Sequence, residues 1–268
     1  MKLHKKTFIV TGAGGGIGAA LVHELMRRGS SVAAVDRNKD HLEALRKSVN
    51  ENDAARLSLH VVDITDRAAV EALPKEVAAT HNTVDGLINN AGIIQPFVNV
   101  HELDYETIER VMKVNFYGSL YIIKTFLPGF LARPEAYIVN VSSMGGFLPV
   151  PGQSIYGASK AALKLMSEGL FAELQDTQVY VSTAFPGATK TDITTNSAVE
   201  APTVDAASAG AVMMISPQDA ARIIIDGMVR RKPLIYTGKD SRAMQRLYRL
   251  SPVKATKLIA KQMKSLLK

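Results

Sequence analysis

Residues 11–18 read Thr11-Gly12-Ala13-Gly14-Gly15-Gly16-Ile17-Gly18, with five glycines in eight positions. They lie between an apolar, β-rich run from Lys6 to Thr11 and a segment whose apolar residues, Ile17, Leu21, Leu25 and Met26, recur at helical spacing. Glycines let a chain turn tightly from strand to helix and approach a ligand with bare backbone. The free N–H groups and dipole of the following helix then stabilise negative charge. Many turns use glycine, so composition alone says little. The strand–turn–helix setting and the spacing Gly-x-x-x-Gly-x-Gly at Gly12, Gly16 and Gly18 point to a pyrophosphate cradle, with Gly14, Gly15 and Ile17 as further contacts.

The same alternation continues. Strands are expected at 31–36, 57–62, 84–88, 136–141, 179–185 and 233–236. Helices are expected at 40–50, 66–79, 104–131 (with Asp104 as N-cap), 154–175 and 217–230. Near-continuous apolar strands separated by helices predict a doubly wound α/β fold, because parallel strands need crossovers that cover both faces of the sheet. The rhythm breaks at 188–216, which is rich in Ala, Ser and Thr and reads as a lid beside a strand end.

Asp36 ends the second strand, where a carboxylate can accept both adenosine-ribose hydroxyls and repels a 2′-phosphate. This favours NAD. Arg37 beside it leaves NADP open, since an arginine can pair with a 2′-phosphate or remain a solvated loop charge. Tyr156 and Lys160 are four apart at a helix start and share one face. An ammonium stabilises a neighbouring phenolate and moves it from about 10 toward a useful acid/base range. Such pairs are common on helices. Ser143, at the end of the preceding strand, gives this one a hydroxyl facing the same opening.

In their order and spacing, these motifs resemble the short-chain dehydrogenase/reductase family, of the compact single-domain type. The resemblance runs from about Lys6 to Tyr236 and rests on Thr11 to Gly18, Asp63, Asn89-Asn90-Ala91-Gly92, Asn115, Ser143, Tyr156 with Lys160, and Pro186-Gly187 followed by Thr191. It implies a Rossmann-type sheet of about seven strands and a nicotinamide-dependent oxidoreductase acting on a carbonyl or secondary alcohol. Tyr156 would be the general acid/base and Ser143 would bond the substrate oxygen. Lys160 would lower the tyrosine pKa and hold the nicotinamide ribose, while Asn115 would position a water. Asp63 and Ile64 would flank the adenine, Asn90, Ala91 and Gly92 would pack beneath the cofactor, and Pro186, Gly187, Thr189 and Thr191 would meet its nicotinamide or pyrophosphate side. Asn90, Asp63 and Thr191 could equally cap turns or helices. NADP-preferring relatives often carry a basic residue at the position of Gly15, and relatives commonly have an aliphatic residue at that of Thr189. Relatives are commonly homodimers or homotetramers.

The substrate contacts expected are Ser143, Gly145, Gln153 and Tyr156. The surrounding walls, at 94–98, 144–151, Phe185 and the lid, are chiefly apolar and suit a fairly hydrophobic substrate. An acyl-thioester ketoreductase is the nearest alternative, and a non-catalytic nucleotide-binding, membrane-associated scaffold is a different one. The histidines at 4, 23, 41, 60, 81 and 101 form no metal-ligand spacing, and the chain has no cysteine, so no metal is expected and an intracellular, cytoplasmic site fits. No apolar run approaches the length of about eighteen residues that spans a bilayer.

Formal charge is +7, yet residues 230–268 hold twelve Lys/Arg against Asp240 alone. The expected division is a domain over 1–240 and a basic amphipathic tail over 241–268, broken at Pro252. The tail's apolar face and its charge suit an anionic membrane surface, a partner subunit or its own fold. Nucleic acid is not expected, because no aromatic platform accompanies the charge.

Overall fold

The computed structural model describes residues 3–189, 193–197, 199 and 214–263. Seven parallel strands form one sheet: β1 (Thr7–Thr11), β2 (Ser31–Asp36), β3 (Leu57–Val61), β4 (Gly86–Asn89), β5 (Ala136–Val141), β6 (Val179–Pro186) and β7 (Leu234–Thr237), in the order β3-β2-β1-β4-β5-β6-β7. The chain winds outward from β1 to β3 and then returns to place β4 on the other side of β1. The crevice where ligands bind such sheets therefore opens at the carboxyl ends of β1 and β4. This is the expected doubly wound fold.

Alternate strand residues serve opposite faces. Phe8, Val10, Val32 and Ala34 pack beneath α1 (Gly16–Arg27), α2 (Lys39–Ser48) and the later helix Pro217–Val229. Ile9, Ala33, Val35 and Leu87 pack against α3 (Arg67–Ala78), α5 (Ser119–Leu131) and α6 (Ser154–Glu173). Period-two alternation with both faces covered accounts for strands that are apolar throughout. Helix starts follow local chemistry: Asn38, Asp66, Asp104 and Ser216 each accept a hydrogen bond from a first-turn N–H.

The helix expected over 104–131 is not continuous. α4 (Tyr105–Met112) passes into a π-helical stretch, Lys113–Gly118, before α5 begins. The stretch carries Asn115, and a π-bulge leaves the apolar spacing on either side intact, so periodicity does not reveal it.

Within the expected lid, a helical turn, α7 (Ile193–Asn196), is described, and Thr189 pairs in parallel with Ile215; Thr191 lies outside the described residues. After α8 (Pro217–Val229) and β7, the tail forms α9 (Lys239–Leu250) and α10 (Pro252–Gln262), broken where Pro252 falls. Both helices fold back. Met244, Leu247, Tyr248, Ala255, Ile259 and Met263 enclose Met144, Phe147 and fully buried Leu148, which follow β5. The first tail helix thus begins at Lys239, and these six apolar residues of the tail are engaged with the chain's own domain, while Leu250, Val253 and Leu258 are exposed. Leu266 and Leu267 lie outside the described residues.

Candidate active site

Gly12 has φ of +62°, and a Cβ there would stand 2.8 Å from the Ala91 Cα. A Cβ on Gly18 would overlap the Gly12 carbonyl oxygen. The turn from β1 into α1 is therefore open only to glycine at these positions. Gly15 precedes α1 without a side-chain cap, and the helix has no acid in its first turn, which leaves an electropositive backbone end. Asn90 ties the cradle to β4: its Nδ2 donates to the carbonyls of Thr11 (3.1 Å) and Gly12 (3.2 Å), while Thr11 Oγ1 accepts from the N–H groups of Asn90 and Ala91.

A cavity of about 600 Å³ runs from this turn along the carboxyl edge of the sheet. It is lined by Gly12, Gly15, Gly16, Ile17, Asp36, Arg37, Asp63, Ile64, Asn90, Ala91, Gly92, Ser143, Tyr156, Lys160, Pro186, Gly187 and Thr189 from the sequence-based set. Gly14, Gly18, Asn115, Gly145 and Gln153 do not line it. Gly14 instead donates its N–H to Asp36 Oδ2 at 2.9 Å, and Asn38 N–H donates to Asp36 Oδ1 at 2.9 Å. Each carboxylate oxygen keeps a lone pair for a ribose hydroxyl. Arg37 donates to the Asn196 carbonyl at 3.3 Å across the cavity mouth. An electropositive helix end without a side-chain cap, a glycine turn that a Cβ would fill, and a fixed carboxylate at the end of β2 together fit a dinucleotide.

At the other end of the cavity, Ser143 and Tyr156 line the same wall, and Gly145 flanks both, its notional Cβ lying 3.4 Å from Tyr156 Cε1 and 3.5 Å from Ser143 Oγ. Lys160 is buried and donates from Nζ to the Val141 carbonyl at 3.0 Å. Burial pushes the Lys160 ammonium down to about 8. Burial also pushes the Tyr156 phenol above its usual value, opposed by the Ser143 hydroxyl. The influences acting on the phenol here are burial and the Ser143 hydroxyl, and the Lys160 ammonium is directed at the Val141 carbonyl. Asn115 sits behind the cavity wall, fully buried. Its Oδ1 accepts from Ile93 N–H (2.8 Å), and its Nδ2 donates to the Ile93 carbonyl (2.9 Å) and to Ser159 Oγ (2.9 Å).

Gln153 is buried with its amide donating to the Gln95 carbonyl at 2.8 Å. Phe185 stacks on Tyr236 inside the fold. Met144, Phe147 and Leu148 face the tail, so these expected pocket walls are spent on packing. The expected lid contributes Ile193 and Asn196 to the lining; sequence reasoning missed Ile93 in the apolar wall and Asn38 and His41 at the adenosine end. It also missed the grip of the tail on the strand after which Gly187 falls: Ser241 Oγ donates to the Phe185 carbonyl (3.0 Å), and Asp240 Oδ2 accepts from Ala188 N–H (3.4 Å). Among the described residues, no group of three or more His, Asp or Glu is placed to hold a metal ion, and no helix is long and apolar enough to cross a membrane.

The family model for short chain dehydrogenases matches residues 6–201. SadH of Mycobacterium tuberculosis, named as an oxidoreductase, is 32% identical over 263 residues, covering 95% of this chain and 94% of its own length. A short-chain dehydrogenase/reductase of Burkholderia phymatum, solved with NAD, superposes with a TM-score of 0.84 at 24% identity over 94% of this chain and 96% of its own. A short-chain dehydrogenase of Sphingobium yanoikuyae, solved with NADPH, superposes with a TM-score of 0.77 at 29% identity over 93% of each chain. With the glycine cradle, Ser143, Tyr156 and Lys160 in one cavity and these matches together, the chain belongs to the short-chain dehydrogenase/reductase family and is a nicotinamide-dependent oxidoreductase acting on CH–OH groups.

Proposed function

We propose that this chain interconverts a fairly hydrophobic carbonyl and its secondary alcohol, with Tyr156 moving the proton. The observation that carries this reading is that Ser143, Tyr156 and the buried Lys160 line the same cavity as the glycine cradle. The nicotinamide, when bound, supplies or accepts the hydride. Ser143 Oγ fixes the substrate oxygen beside the phenol. In reduction, Tyr156 Oη donates its proton to that oxygen; in oxidation it takes the proton back. Lys160 lies four residues along the same helix, and its ammonium stabilises the phenolate and holds the nicotinamide ribose. Asn115 braces the helix from behind through Ser159 and positions a water toward Lys160. The apolar wall of Ile93, Ile94 and Ile193 supports an apolar substrate and no catalytic metal.

NAD is the favoured cofactor. Asp36 stands where a 2′-phosphate would be repelled, Gly15 offers no cation, and Arg37 is engaged by Asn196. The remaining cofactor contacts are those of the cradle, Asp63–Ile64, Asn90–Gly92 and Pro186–Gly187 with Thr189 and Thr191. Exchange of Tyr156 for Phe is expected to lower kcat by about 10²–10⁴-fold with NADH binding unchanged. Normal turnover by this variant refutes the assignment.

The chain is read as one cytoplasmic catalytic domain over 1–240 with an appended tail over 241–268. Exposed Tyr117, Leu131, Leu165 and Phe171 around α5 and α6 support a homodimer or homotetramer. The tail remains docked and meets an anionic membrane surface with its outer side. Arg242, Arg246, Arg249, Lys254, Lys257 and Lys261 are exposed, and none forms an ion pair among the described residues. Leu250 and Val253 protrude at the elbow, while Asp240 turns inward. Cosedimentation with phosphatidylserine vesicles tests this: equal binding after removal of residues 241–268 rejects the tail as the contact.

A further inference from the structure

Gln95 follows the Asn89–Gly92 motif by three residues, and no sequence pattern singles it out. It is fully buried. Its side-chain Oε1 accepts from two backbone N–H groups at the start of α6, those of Ile155 (2.8 Å) and Tyr156 (3.0 Å), while Gln153 Nε2 donates to the Gln95 carbonyl at 2.8 Å. The first N–H groups of a helix have no intrahelical partner, and here the residue preceding the helix, Gln153, supplies no side-chain cap. The cap arrives instead from a loop about sixty residues upstream.

The same loop brackets a second residue of the proposed site. Ile93, two positions earlier, exchanges both of its backbone hydrogen bonds with the Asn115 carboxamide. Ile93 and Gln95 therefore set the π-helical stretch and the entrance of α6 relative to each other, and Ile93 and Ile94 also line the cavity.

We propose that Gln95 is a positioning residue for Tyr156: it holds the Tyr156 N–H itself and so fixes where the phenol stands relative to Ser143 and Lys160. This rests on Tyr156 being the proton donor. A donor misplaced by about 1 Å can cost on the order of 10²-fold in rate, because proton transfer demands hydrogen-bond geometry at the reacting atom. The dinucleotide cradle, anchored on Asn90 and Thr11, does not use this contact.

The test is a pair of substitutions. Gln95→Met removes the acceptor at similar length; Gln95→Glu keeps an oxygen for both N–H groups. Turnover is read as NADH oxidation with the best ketone of an aliphatic and cyclic panel, and cofactor affinity by NADH fluorescence. Gln95→Met is expected to lose about 10–100-fold in kcat while the NADH dissociation constant stays within about twofold, and Gln95→Glu to recover most of the rate. If Gln95→Met proves unfolded by its thermal transition, Gln95→Asn, one methylene shorter, takes its place in the same contrast. Unchanged kcat in the acceptor-free or shortened variant, or equal loss with Gln95→Glu, overturns the proposal. Tyr156→Phe measured alongside separates the two ideas. A dead Tyr156→Phe with a fully active Gln95→Met removes only the role of Gln95, whereas an active Tyr156→Phe removes the proton-donor reading beneath it.

Discussion

The adenosine end and the carbonyl end of the cavity are built from different material. At the adenosine end the phosphate cradle is backbone, with the Asp36 carboxylate at its edge: the turn at Gly12, the uncapped start of α1, and carbonyls stapled by Asn90. At the carbonyl end they are side chains drawn from five places in the chain, with Ser143 after β5, Tyr156 and Lys160 on α6, Asn115 in the π-helical stretch, Gln95 after β4, and a tail that packs behind Met144–Leu148. A backbone surface is tied to residue type and spacing, whereas a side-chain surface depends on what packs behind it. The two ends should therefore fail differently when disturbed.

Beyond substitution of Tyr156 itself, the largest effect is expected from the tail. Deleting residues 239–268 uncovers Leu148, removes the Ser241 bond to the Phe185 carbonyl and the Asp240 contact to Ala188, and so loosens both strand ends that frame the carbonyl site. Activity toward a ketone is expected to fall by about 10²-fold or more, with NADH binding reduced far less. Equal loss of both would show that the tail supports the whole domain and would dissolve the contrast between the two ends.

What was legible in the sequence follows the same division. The glycine turn, Asp36, Asn90 and the alternation of strands and helices were readable because each is encoded locally, by a residue type that the backbone conformation demands or by a period. The π-helical stretch was not, because helical spacing continues through it. The docking of the tail was not, because an amphipathic pattern announces an apolar face without naming what covers it. Gln95 carried no signal at all: a single buried glutamine acquires its role only when the fold brings α6 to it. The pocket walls expected at Phe185 and around Met144 were misplaced for a related reason, since apolar residues near a site are equally suited to the core beneath it.

An intermediate effect tests the backbone end. Gly12→Ala forces a Cβ onto a positive φ and against Ala91, a strain of about 1–3 kcal/mol. That is expected to weaken NADH binding by about tenfold, with kcat at saturating cofactor changed much less. Fluorescence titration beside steady-state kinetics reads the split. A fall confined to kcat would mean that the cradle also shapes the carbonyl end.

The smallest and most diagnostic effect is in pH. Burial raises the Tyr156 phenol, so it stays protonated through neutrality, while Lys160 is pushed down to about 8. For carbonyl reduction, kcat/KM, which reports the free enzyme, is expected to be flat below about 8 and to decline above it as the ammonium is lost. Stability runs the other way. A lysine whose folded pKa lies below its unfolded value binds fewer protons when folded, so unfolding free energy rises with pH between about 8 and about 10 from this group. Activity falling while thermal stability of the free enzyme holds or rises distinguishes titration of Lys160 from alkaline unfolding. Lys160→Met should abolish the stability gain along with turnover. A parallel fall of activity and stability, unchanged in Lys160→Met, would assign the alkaline limb to the fold rather than to the carbonyl end.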